Sequence, residues 1–209
     1  KRQVVSDQLI NTMIEEVNKT SSSSEKKQSF STKVLKAIVN TEPLKIDALD
    51  EDIKEKIIEQ TIESAKDQQE GNLIETVDLA DLVAEIIVKT DNETAIKMIE
   101  EINDSETDSN LSLEVISGVS KKDENKLNDL SLSIKDEIEE LAEDAVKKAE
   151  NTLTDSEKIV DIVAVANTDL LNFVIEEVTD VSINENQSLS AKVLKGIVDI
   201  EPDKMLDIE

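Results

Sequence analysis

Ser29-Phe30-Ser31-Thr32-Lys33-Val34-Leu35-Lys36-Ala37-Ile38 recurs twice further along the chain. It returns as Asn110-Leu111-Ser112-Leu113-Glu114-Val115-Ile116-Ser117-Gly118-Val119, then as Ser188-Leu189-Ser190-Ala191-Lys192-Val193-Leu194-Lys195-Gly196-Ile197. The period follows by subtraction: 115 − 34 = 81 and 193 − 115 = 78. Self-similarity at a fixed period marks a repeat architecture.

A second marker runs in step. Ile14-Glu15-Glu16-Val17 returns as Ile99-Glu100-Glu101-Ile102 and as Ile175-Glu176-Glu177-Val178, each time ahead of the first marker. The intervals from marker Ile to marker Val are 34 − 14 = 20, 115 − 99 = 16 and 193 − 175 = 18 residues. The slack lies in polar stretches at 18–29, 103–110 and 179–188, where length variation between copies belongs to loops. Ile53-Lys54-Glu55-Lys56-Ile57 pairs less closely with Ile134-Lys135-Asp136-Glu137-Ile138. Glu42-Pro43 and Glu201-Pro202 follow the first and third markers, where the second copy has Lys122-Asp123. A finer half-period is suggested by Val34-Leu35, Leu82-Val83, Val115-Ile116, Ile159-Val160 and Val193-Leu194. The organisation expected is a partial repeat at 1–33, full repeats at 34–114 and 115–192, and a partial repeat at 193–209. All four are expected to belong to one continuous array, a segment of a longer protein.

The units read as helices. Val34, Leu35, Ile38 and Val39 form one apolar stripe at three- and four-residue spacing. Leu79, Leu82, Val83, Ile86 and Ile87 form another, and Ile134, Ile138, Leu141, Ala142 and Ala145 a third. The chain has only 3 Gly and 2 Pro, too few turn formers for an all-β protein. Thr90-Asp91-Asn92-Glu93 and Thr154-Asp155-Ser156-Glu157 fit capping boxes, and Asp50 fits an N-cap. Pro43 and Pro202 suit a first helical turn, and Gly71 a helix stop. The position shared by Ala37, Gly118 and Gly196 is always small, which predicts close approach of a neighbouring helix. The fold class expected is all-α, with tandem helical repeats stacked as an α-solenoid-like array. Each period of roughly 80 residues should hold about four helices in two hairpins.

Composition narrows function. The chain of 209 residues carries 49 acidic and 23 basic residues, a formal net charge of −26. Phosphate backbones repel such a surface, so nucleic acid is excluded as a partner. With no Trp, no Tyr and two Phe, Phe30 and Phe173, there is no stacking platform for bases or flavins. The absence of His and Cys removes the commonest general base and the thiolate and imidazole metal ligands. No apolar run is long enough to insert in a membrane.

Two sets of residues are candidate sites. Asp104, Glu106, Asp108 and Asn110 place oxygen ligands two residues apart, as calcium loops do. Ser109 stands where such a loop needs glycine and Val115 where it needs glutamate, so this is a weak candidate. Glu15, Glu16, Glu100, Glu101, Glu176 and Glu177 recur with the period and could form an acidic interaction stripe. Adjacent carboxylates on a repeated surface do not face each other across a cleft, so no catalytic residues and no cofactor are expected. The function expected is a structural or spacer segment of a large bacterial, extracellular or cell-envelope protein. Its partners would be neighbouring repeats of the same chain. The alternative is an acidic scaffold that binds a basic protein partner, or self-association.

Overall fold

The computed structural model describes residues 9–14, 16, 34–71, 78–104, 110–149, 153–184 and 187–208. Every regular element among them is helical. Helix α1 covers residues 9–14 and α2 residues 34–41. They are followed by α3 (Leu44–Asp47), α4 (Glu51–Gln69), α5 (Leu79–Lys89) and α6 (Asn92–Asn103). Next come α7 (Leu111–Lys122), α8 (Glu124–Ser133), α9 (Lys135–Lys148), α10 (Leu153–Val165), α11 (Thr168–Asn184) and α12 (Gln187–Ile200). A 3-10 helix, η1 (Pro202–Leu206), closes the described chain. Among the described residues, no helix is long and apolar enough to cross a membrane.

Among the described residues each period holds one short element beyond the roughly four helices expected. Residues 34–114 hold α2 to α6, and 115–192 hold α8 to α11 together with most of α7. The additional element is the short helix after each marker helix, which the sequence presents as a turn. Pro43, at φ −56°, starts α3 because a residue without an amide hydrogen can open a helix but not continue one. In the second copy Asp123 does the same work by another route. Its backbone is extended, and its carboxylate accepts from the amides of Asn125 (3.0 Å) and Lys126 (3.2 Å) to cap α8. Pro202 opens η1 at the equivalent place in the third.

Other helix ends follow local chemistry. Gly71 sits just past α4 with φ +77°, the left-handed conformation glycine adopts without steric cost. Asp50 occupies the N-cap of α4, but its side chain makes no capping bond. Asp91, one residue after the expected Thr90, is the residue that caps α6: its carboxylate accepts from the amide of Thr94 at 2.8 Å. Thr90 turns backward instead and donates to the carbonyl of Ile86 at 2.8 Å, closing α5. Thr154 lies inside α10, which is already helical at Leu153.

Contacts between helices divide the chain into two compact units, Lys1–Glu101 and Ile102–Glu209, with the division falling inside α6. In the first unit α4 packs on α5, and the Gln68 side chain accepts from the amide of Leu79 at 2.7 Å where the two meet. Ile46, Ile62, Leu82, Val83, Ile86 and Ile87 are among its buried aliphatic side chains. Lys97 of α6 forms an ion pair with Glu51 of α4.

In the second unit α7 packs against α8, α9 and α10. Helix α10 also packs against α12, and α11 packs against both α9 and α12. The seams are filled by Leu113, Val115, Ile116, Ile138, Leu141, Ile159, Val163, Leu171, Val174, Val193 and Ile197. Gly196 lies on the side of α12 that faces Val160 of α10. A Cβ atom there would stand 2.5 Å from Val160 Cγ2, inside any tolerable contact. The close approach predicted for this position is therefore present at Gly196, whereas Ala37 is exposed.

This contact sets two effects against each other. Replacing a helical glycine with alanine gains up to about 1 kcal/mol of helix propensity. Forcing a methyl into a filled seam costs about 1–3 kcal/mol. Gly196→Ala should therefore lower the urea midpoint. In a Val160→Ala background, where the obstructing methyls are gone, the same change should raise it. A stabilising Gly196→Ala in the unaltered chain would contradict the packing described.

Candidate functional site

The polar groups with the most specific placement are those that join the short helices to the turns beyond them. In the first unit, Asp47 ends α3. Its Oδ1 accepts from the amide of Asp91 (3.2 Å) and from the hydroxyl of Thr94 (3.0 Å). Asp91 in turn caps α6 through the amide of Thr94. In the second unit, Asn128 of α8 accepts from the amide of Asn167 at 2.9 Å. Asn167 then caps α11 by accepting from the amide of Leu170 at 3.0 Å. The two arrangements are the same device. The offsets are 128 − 47 = 81, 167 − 91 = 76 and 170 − 94 = 76. Those are the spacings of the Val34–Val115 and Ile99–Ile175 markers.

The second copy adds bonds. Asn128 Nδ2 donates to the carbonyl of Val165 at 3.0 Å, and Asn167 Nδ2 donates to the hydroxyl of Ser131 at 2.7 Å. Lys204 of η1 donates to the carbonyl of Ala166 in the same turn. The α10–α11 turn thus has its backbone groups satisfied from two short helices, α8 and η1. Sequence reading missed Asp47 and Asn128. The available signal was an Asp or Asn at matching positions one period apart, 44 and 39 residues before an Asx at a helix start (91 − 47 = 44 and 167 − 128 = 39).

A groove of about 530 Å³ runs between α10 and α12, with Val160 and Gly196 among its lining residues and Lys121, Asp161, Lys195 and Asp199 at its borders. Its charges are matched locally. Lys121 pairs with Asp161 at 2.7 Å, and Lys195 pairs with Asp199. Ser117 also donates to Asp161, at 3.4 Å. Ser156, which lines the groove, donates its hydroxyl proton to the carbonyl of Leu153 at 2.7 Å, an arrangement that serves the helix backbone rather than activating a nucleophile. Glu114 pairs with Lys158 across the α7–α10 seam. Such half-exposed pairs contribute well under about 1 kcal/mol each and act mainly to fix register.

The residues singled out by sequence are distributed as follows. Glu16, Glu100 and Glu176 are exposed, and Glu101 and Glu177 are half-buried. Glu15 lies outside the described residues. Of the calcium candidates, Asp104 is exposed and Asn110 is half-buried, with its Oδ1 shielded and without a hydrogen-bond partner. Glu106 and Asp108 lie outside the described residues, so the four are not brought together in what is described. Among the described residues, no group of three or more acidic side chains is disposed to hold a metal ion. The chain matches no protein-family model, no curated protein and no solved structure.

The paired clamps carry an asymmetric prediction. Asp47 only accepts, whereas Asn128 both accepts and donates. Asp47→Asn should shift stability by less than about 0.5 kcal/mol. Asn128→Asp points a second carboxylate oxygen at the Val165 carbonyl and should cost about 1–2 kcal/mol. Urea unfolding of the two variants measures the difference, and equal small effects would remove the clamp's structural role.

Proposed function

We propose that the chain is a structural spacer built of tandem helical repeats, its helices stacked in the manner of an α-solenoid. The reading assigns it to a large extracellular or cell-envelope protein. The observation that carries the stacking is the recurrence of one polar clamp at the sequence period, Asp47 with Asp91 in one copy and Asn128 with Asn167 in the next. Side-chain hydrogen bonds between separate helices do not recur in register unless the helices around them recur too. The succession of α7, α10 and α12, each packed on the next, and of α9 on α11, adds support within the second unit. In such an arrangement each helix hides its apolar stripe on its successor, so length scales with copy number.

A second reading has its own observation. Glu100 and Glu176 occupy the same register in their copies and are both exposed, in a chain of net charge −26. That combination suits a scaffold holding a basic segment.

Length separates the two readings. Chains in which the 115–192 period is duplicated once and then twice should lengthen by equal steps in small-angle X-ray scattering. Two stacked helices per period at 8–10 Å spacing give about 20 Å per step. Growth in girth without growth in length would end the spacer reading. A lysine-rich peptide titrated against Glu100→Gln and Glu176→Gln tests the scaffold. Lost affinity supports it, and unchanged weak binding attributes the attraction to net charge alone.

A further inference from the structure

Helix α12 is buried on one side and bare on the other. Val193 and Ile197 are buried, and Gly196 receives Val160 of α10. Turned away from them, Ala191, Leu194, Lys195, Val198 and Asp199 are exposed, Leu194 at 37% and Val198 at 50%. Leu194 and Val198 stand one turn apart on the same face, and Lys195 and Asp199 stand one turn apart along its flank. Lys195 and Asp199 pair with each other, yet their side chains stay 75% and 56% exposed, so each has room for a second contact.

The charges limit what this face accepts. An acidic helix such as α11, with Asp169, Glu176, Glu177 and Asp180 and no Lys or Arg, sets a carboxylate against Asp199. A basic helix sets a cation against Lys195. The matching surface carries two aliphatic side chains beside a cation and a carboxylate one turn apart, running in the opposite direction. Helix α12 meets that description when it is reversed.

We propose that the Leu194–Val198 face of α12 docks on the same face of a second copy of this chain, the two helices antiparallel about a two-fold axis. In such a pair each contact occurs twice, and the numbers of facing residues have a constant sum. Leu194 and Val198 give 194 + 198 = 392, and Lys195 and Asp199 give 195 + 199 = 394. The first sum puts the axis at Gly196 and the second at Ile197, a difference of one residue or about 1.5 Å of helix. One register therefore serves both the aliphatic and the charged contacts. Lys192 comes level with Glu201 in the same register (192 + 201 = 393) and meets no like charge. A parallel pair sets Lys195 against Lys195 and Asp199 against Asp199. The net charge of −26 opposes association along acidic faces, whereas α12 holds Lys192, Lys195 and Asp199 and has no acidic excess. The contact needs only this exposed face and is separate from the spacer reading.

Sedimentation of the 209-residue chain tests it, at an ionic strength of about 0.15 M where charge is screened beyond about 8 Å. A monomer–dimer equilibrium with a dissociation constant below about 1 mM is expected. Val198→Glu alters an exposed residue, so the monomer keeps its fold. It places an unpaired carboxylate beside the axis and should weaken the dimer by about tenfold or more. Lys195→Glu sets a carboxylate against Asp199 of the second copy and should weaken it by about threefold. Adding Asp199→Lys to Lys195→Glu restores the pairing in the same register and should return the dissociation constant to within about twofold of the parent value. Circular dichroism verifies the helix content of each variant. The chain contains no cysteine, so an introduced thiol reports direction. With a short bismaleimide, Val198→Cys should cross-link to its own copy. Ala191→Cys should not, because the two thiols lie about 16 Å apart along the helices.

A chain that stays monomeric at about 1 mM overturns the proposal. So does a dimer that Val198→Glu leaves intact, since it forms through another surface. Cross-linking of Ala191→Cys as fast as Val198→Cys shows parallel helices and likewise overturns it, as does a double charge reversal that fails to restore association.

Discussion

Burial of aliphatic stripes between neighbouring helices is the constraint on which the rest of this structure depends. With two aromatic residues in 209, the chain has no large side chain with which to build a thick central core. Leu, Ile, Val and Ala fill seams one side chain deep, and such seams form only where helices lie close along their length. The seam between α10 and α12 shows the limit of that approach, since it leaves no room for even one methyl at Gly196. A helix in this arrangement needs a neighbour on each apolar side.

Aliphatic contacts are poor at specifying register, because a leucine fits many holes of about the right size. The polar clamps supply what the seams lack. A half-buried polar group at a helix N-terminus is costly if it finds no partner, so the bonds of Asn128 to the Asn167 amide and of Asp47 to the Thr94 hydroxyl favour one position of the short helix over its alternatives. The acceptor is a carboxylate in one copy and a carboxamide in the other. This works because the amide proton needs only a lone pair. The difference is felt at the second side-chain atom: Asn128 Nδ2 meets the Val165 carbonyl, whereas Asp47 Oδ2 is buried without a partner.

Much of the fold was legible in the sequence, and the exceptions have physical causes. The stripes of Leu79–Ile87 and Ile138–Ala145 announced α5 and α9 because amphipathic spacing is a property of many residues at once. The glycine stop at Gly71 was legible because its φ of +77° is open to few other residues. The short helices were not, since four residues at Leu44–Asp47 are too few to show a period. The capping box at Thr90 was displaced by one residue, as Thr90 and Asp91 both carry a suitable oxygen and only the packed structure decides which turns forward. Nor did the local sequence distinguish Ile116 from Leu194. Both are aliphatic, in register and helical, yet Ile116 is buried and Leu194 is 37% exposed.

The charge of −26 and the apolar face of α12 act on association in opposite directions, and their ranges decide where each prevails. Repulsion between acidic surfaces extends over a Debye length of about 8 Å at physiological ionic strength, so it opposes approach along any flank rich in Glu and Asp. Apolar attraction requires contact and acts only where water can be expelled from both partners. On α12 the exposed apolar residues are Leu194, Val198 and Ile200, and the nearby charge includes Lys195. Lys195 is paired with Asp199, so the local charge is balanced and the long-range repulsion comes from the acidic flanks.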